Sequence, residues 1–131
     1  MTEPHRWLEF AQEDLALARL ALREGIPNQA CFHSQQGFEK ALKGFLRSRQ
    51  RSIPRIHSLE ELLKFCKEWD PSFSKLKETC VFLDRYYIPT RYPDALPGGS
   101  PEGLPADRDA EKAVELLQRT LAWIRKKMAQ E

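Results

Sequence analysis

Gln35-Gln36-Gly37-Phe38-Glu39-Lys40-Ala41-Leu42-Lys43 is the stretch whose reading decides the fold. Phe38, Ala41 and Leu42, with Cys31 before them and Phe45 after, recur at the spacing of one helix face, which predicts a helix over roughly Asn28 to Arg49. Gln36, Lys40 and Lys43 stand at i, i+4 and i+7 on the opposite side, where a solvated face is the plain reading, above all for Lys40. Between the faces runs a seam of small residues: Ala30, Gly37, Ala41 and Gly44. Glycine inside a helix costs roughly 0.5 to 1 kcal/mol relative to alanine, so two of them imply that another backbone packs closely there. That backbone belongs either to the same chain or to a symmetric partner.

The same period organises the flanking sequence. Trp7, Leu8, Ala11, Leu15, Ala18, Ala21 and Leu22 share an arc, giving a first helix from about Glu3 to Glu24 that Gly25-Ile26-Pro27 ends. Arg47 to Ile56 reads as a basic connector. Ser58 followed by Glu61 is a capping box for a third helix carrying Leu59, Leu62, Leu63 and Cys66. Asp70-Pro71-Ser72 stops it and starts a fourth, with Phe73, Leu76, Cys80, Leu83 and Tyr87 in line, ending before Pro89. Residues 88–106 hold five of the nine prolines and read as a long loop. Asp107 is the expected N-cap of a last helix striped with Ala110, Ala113, Val114, Leu117, Leu121, Ile124 and Met128. No strand-like alternation stands out, so the expectation is an all-α, antiparallel up-and-down bundle of about five helices in one domain over residues 1–131.

Composition narrows the functional classes. A formal net charge of +2 supplies no overwhelming cationic field, so any anion site must be local. No apolar run approaches the roughly 20 residues that span a bilayer, and the N-terminus lacks the apolar segment of a signal peptide, which makes a cytoplasmic location the simplest expectation. Cys31, Cys66 and Cys80 are odd in number, far apart and set in apolar helical patterns, as suits reduced core thiols. Their spacing argues against a zinc site, and neither a metal nor a cofactor is expected.

A few residues break the amphipathic pattern. Asp14 falls within the apolar arc of the first helix and needs a partner, either a buried ion pair or a ligand. His57 directly precedes the third helix, where its imidazole could meet an anion held by the free N–H groups of the helix start. Arg47, Arg49, Arg51 and Arg55 approach it with no acidic residue among them; this run is either a phosphate grip or a solvated connector. Arg91 and Tyr92, between Pro89 and Pro93, would pair a phosphate-binding cation with a ring for base stacking; alternatively Tyr92 plugs the loop onto the bundle while Arg91 pairs with Asp94 or Asp14.

Gln35 to Lys43, His57-Ser58-Leu59 and Tyr87-Ile88-Pro89-Thr90-Arg91-Tyr92-Pro93-Asp94, in this order and at this spacing, resemble the HEPN domain family over nearly the whole chain. The resemblance implies a homodimeric helical bundle with nucleotide or RNA contact, of the branch whose members work with a separate minimal nucleotidyltransferase, often as a toxin and antitoxin pair. The nucleotide or phosphate site expected here comprises Lys43, His57, Arg91 and Tyr92, supported by Asp14 and Glu39, with Gly37, Ala41 and Gly44 at a dimer or close helix contact. Many HEPN toxins are metal-independent ribonucleases in which four to six residues separate an arginine from a following histidine. Arg51 and His57 satisfy that spacing but lie earlier in the chain than the family's motif, so ribonuclease action is the alternative reading. A third is an interaction scaffold without ligand, since no complete catalytic constellation is visible.

Overall fold

A computed structural model of the chain describes residues 2–49, 52–87 and 105–130. Its regular elements are all helical: α1 (Glu3–Arg23), α2 (Pro27–Ser48), α3 (Leu59–Trp69), a 3-10 segment (Pro71–Leu76) running into α4 (Lys77–Asp84), and α5 (Asp107–Ala129). The all-α bundle expected from the periodicity is what forms, with no strand among the described residues.

Gly25 makes the first corner. With φ at 73° it occupies the left-handed region that side chains resist, and there Ile26 N–H reaches Ala21 O at 2.8 Å while Gly25 N–H reaches Leu22 O at 3.2 Å. These two bonds satisfy carbonyls that the end of α1 would otherwise expose, and Pro27 restarts the chain as the first residue of α2.

The centre of the bundle is α2, which packs on α1, α3, α4 and α5. Phe38, Ala41, Leu42 and Phe45 on this helix are fully buried, and Phe45 meets Phe73 at 4.4 Å between ring centroids. Phe73 meets Trp123 of α5 edge-on at 4.8 Å, so one aromatic chain ties α2 through the 3-10 segment to α5.

Two details depart from the sequence reading. The fourth helix is broken: Asp70 accepts the Ser72 N–H at 3.0 Å and the Ser72 hydroxyl at 2.6 Å, which starts the 3-10 turn, and regular helix sets in only at Lys77. Tyr87, placed in line with that helix by its spacing, lies beyond its end. At α5 the cap is Ala106 rather than Asp107, because the Asp109 carboxylate reaches back to the Ala106 N–H at 3.0 Å and starts the helix one residue earlier.

Cys31, Cys66 and Cys80 are buried and free. Burial pushes the thiols of Cys31 and Cys66 up to about 12 and that of Cys80 upward as well, so all three stay protonated at neutral pH.

Candidate functional site

At the centre of the bundle, α2 carries two adjacent ionic positions that turn to opposite neighbours. Lys40 reaches α1, where its Nζ lies 2.6 Å from Asp14 Oδ2, and His33 Nδ1 holds the other oxygen of Asp14 at 3.0 Å. Asp14 is buried, and the two bonds give each of its oxygens a partner. The partner that the pattern break demanded is therefore an ion pair within the chain. Lys40, read as solvated, is half-buried because it bends onto that carboxylate.

Glu39 faces the start of α3. Its Oε2 accepts from Lys43 Nζ at 2.9 Å, one turn further along α2, and lies 3.2 Å from His57 Nδ1. Its Oε1 is buried and has no hydrogen-bond partner among the described residues. Lys43, expected to reach a phosphate, is 7% exposed, since α2 is surrounded and no side of it at this level faces water. With its charge taken up by Glu39, Lys43 is a structural cation before it is a phosphate ligand.

His57 is the outward-facing member of the group, with a side chain 55% exposed. Three contacts fix it. Glu39 holds Nδ1, the Gln35 amide donates to the His57 carbonyl at 3.4 Å, and the Tyr87 ring stacks on the imidazole at 5.2 Å and 11°. When Nδ1 donates to the carboxylate, Nε2 is the acceptor in the neutral ring, on a side chain more than half exposed.

The anion expected at the start of α3 is part of the chain itself. Asp84, the last residue of α4, accepts from Leu59 N–H at 2.8 Å, from Glu60 N–H at 3.2 Å and from the Ser58 hydroxyl at 3.3 Å. Ser58 in turn accepts the Glu61 N–H at 3.3 Å, which completes the half of the capping box that the sequence announced. Burial raises the Asp84 pKa and these donors oppose the rise. His57 thus stands next to a helix terminus already neutralised.

The small-residue seam is also filled from within. A Cβ on Gly37 would lie 2.7 Å from Leu117 Cδ2 and 3.1 Å from Asp14 Cβ, and one on Gly44 would lie 3.0 Å from Trp7 Cβ. Gly37 and Gly44 therefore admit α1 and α5 of the same chain, and Ala41 between them is fully buried.

Arg51, Arg91, Tyr92 and Asp94 lie outside the described residues. Of the expected site, the structure brings together Glu39, Lys43 and His57, and sets Asp14 apart on α1. His33, Asp84 and Tyr87 were missed. Nothing in the local sequence marks Asp84 or His33, whose partners are distant in the chain, whereas Tyr87 fell in an apolar line that hid its separate use. Among the described residues no group of three or more His, Cys, Asp or Glu side chains is placed to hold a metal, and no helix is long and apolar enough to cross a membrane.

The chain is thus an all-α bundle centred on α2, with a carboxylate–histidine pair where α2 meets the head of α3. The HEPN domain family model matches residues 4–127, and the chain belongs to the HEPN family. Among solved structures it is similar to TT1696 from Thermus thermophilus, with 38% identity and a TM-score of 0.85 over 97% of this chain and 99% of that one. It is also similar to ST0689, an archaeal HEPN homologue, with 34% identity and a TM-score of 0.77 over 98% and 99% of the two chains. Nothing matches it among curated proteins.

Proposed function

We propose that the protein is a nucleotide- or RNA-binding HEPN module whose contact centres on His57. The observation that carries this reading is the Glu39–His57–Tyr87 arrangement: an imidazole braced on one nitrogen, backed by a ring and open on the other nitrogen. In the neutral ring Nε2 accepts from a donor on a base edge, and in the protonated ring it donates to a phosphate oxygen. Arg91 and Tyr92 follow Tyr87 closely in the chain and belong to the same proposed site.

Calorimetric titration and thermal shift with ATP, GTP and a short RNA at low salt test it. The expected result is a response in the wild type that His57→Ala removes for the mononucleotides and weakens for the RNA. Absence of heat and of thermal shift with all three ligands in the wild type would overturn it.

The second reading is metal-independent RNA cleavage, favoured by the free Nε2 of a histidine whose Nδ1 is held by a carboxylate. His57 would take the 2′-hydroxyl proton, with Arg51 beside the phosphate. Cleavage in the presence of a chelator, abolished by His57→Ala, is its signature. Cleavage that survives the substitution removes His57 from the chemistry.

The family resemblance further supports a homodimer acting with a minimal nucleotidyltransferase in the cytoplasm. Phe10, Leu17 and Leu20 line the outer side of α1, each at least 44% exposed, with Ile26 next to them, and offer an apolar face for such pairing. Light scattering on the wild type and on Leu17→Glu checks the dimer, and coexpression with the neighbouring gene checks the partner.

A further inference from the structure

We propose that the seam between α4 and α5 is a track for the phosphodiester backbone of a single-stranded nucleic acid. Two depressions lie along it, of 340 and 410 Å³. The 3-10 segment and α4 form one wall and α5 the other. Lys75 and Arg119 line the first, and Lys77, Arg85 and Lys112 line the second, where Glu78 is the sole acidic residue among the lining side chains of either. All five cations are exposed. In a chain whose formal net charge is only +2, this is a local concentration of positive charge rather than a share of a general excess.

The cations are also held in place. Lys75 Nζ sits 4.1 Å from the centroid of the half-buried Trp123 ring, and Lys112 Nζ sits 4.3 Å from that of Phe82, so each ammonium leans across the seam from one wall to the other. These pairs reduce the side-chain freedom that a ligand would otherwise have to restrict. Arg119 is engaged only weakly, with exposed Glu115 at 3.6 Å, a surface pair worth about 0 to 1 kcal/mol.

The stretch from Lys112 to Trp123 covers about 16 Å at 1.5 Å per residue, longer than one mononucleotide phosphate group needs. Guanidinium forks and the Thr79 hydroxyl match phosphate oxygens, and a row of exposed cations matches a backbone that carries a charge at every nucleotide. The track shares α4 with the His57 site but uses none of its residues, and it stands whether or not a mononucleotide binds there.

Fluorescence anisotropy with a labelled single-stranded oligonucleotide, RNA in one arm and DNA of the same sequence in the other, tests the proposal across a salt series. The expected result is that Lys75→Ala/Lys112→Ala binds at least tenfold more weakly at low salt, with a slope of log affinity against log salt shallower by about 1.4 for the two lost charges. Arg19→Ala/Lys64→Ala removes the same charge from exposed positions on α1 and α3 and keeps the wild-type affinity. Binding in both arms assigns recognition to the shared backbone, and binding of RNA alone adds the 2′-hydroxyl; either supports the track. An equal loss in the α1/α3 control, an unchanged slope in the seam variant, or binding of a polyglutamate peptide where neither oligonucleotide binds would overturn it.

Discussion

Asp84 and Leu59 join the end of α4 to the start of α3: the carboxylate Oδ1 accepts the Leu59 backbone N–H at 2.8 Å, across 25 residues of chain. The side chain does for α3 what an N-cap residue does locally, satisfying donors that have no partner within the helix. Asp84→Ala leaves the N–H groups of Leu59 and Glu60 without it, and the expected loss is about 1 to 3 kcal/mol, the cost of unsatisfied buried donors. Urea unfolding measures it. An unchanged midpoint would mean that water replaces the carboxylate at no cost.

Gly37→Ala sets two effects against each other. Alanine favours the helix by about 1 kcal/mol over glycine, but the new methyl meets Leu117 Cδ2 at 2.7 Å, Asp14 Cβ at 3.1 Å and the Ala11 carbonyl at 3.3 Å. Leu117 is fully buried and has little room to turn away. Overpacking of this kind costs about 1 to 3 kcal/mol, so the net result is destabilisation, and a larger one than for Gly44→Ala, whose tightest contact is 3.0 Å. Thermal unfolding of the two variants side by side decides it, and a Gly37→Ala protein more stable than wild type would show that α1 and α2 can separate freely.

The glycines also show how far a sequence reading reaches. Their spacing announced a close backbone approach, and the approach is there, but only tertiary packing could say that α1 and α5 of the same chain make it. Helix existence was legible because burial imposes a period on each segment independently. The break at Pro71–Leu76 was not, since Phe73 and Leu76 face the core in a 3-10 turn as they would in an α-helix. The same logic places Lys40 on a wet face and leaves Lys43 free for a phosphate, and it fails when a central helix is enclosed all round and its charges are matched one by one. His57 was legible from its position before the cap, whereas its bracing by Glu39 and Tyr87 depends on residues 18 and 30 positions away.

Glu39 and His57 are expected to separate cleanly by stability. Glu39→Ala strands the buried ammonium of Lys43, and breaking a buried ion pair costs about 3 to 5 kcal/mol. Glu39→Met with Lys43→Met should recover most of that loss, because both charges go together. His57→Ala removes a side chain more than half exposed and is expected to cost no more than about 0.5 kcal/mol, which makes it a usable functional variant. Chemical denaturation of the wild type and the three variants tests the set. A Glu39→Ala variant as stable as His57→Ala would show that Lys43 escapes to water.

Asp70 sets an acid-sensitive contact between the end of α3 and α5. The Ser72 hydroxyl first, then Lys127 at 2.9 Å, favour its ionised form and lower its pKa from 3.8 to about 2. A depressed pKa in the folded state means that the unfolded chain binds the proton more readily, so the contribution is complete above pH 3.8 and is lost as pH falls toward 2. Asp70→Asn should therefore lower stability at neutral pH and flatten its fall between pH 4 and 2 relative to wild type, since an asparagine side chain has no proton to take up there. Urea midpoints across that range read the difference, alongside the carboxyl chemical shift of Asp70 itself. Parallel acid profiles for the two proteins would mean that the carboxylate titrates as it does in the unfolded chain, and that its contacts with Ser72 and Lys127 do not favour the ionised form.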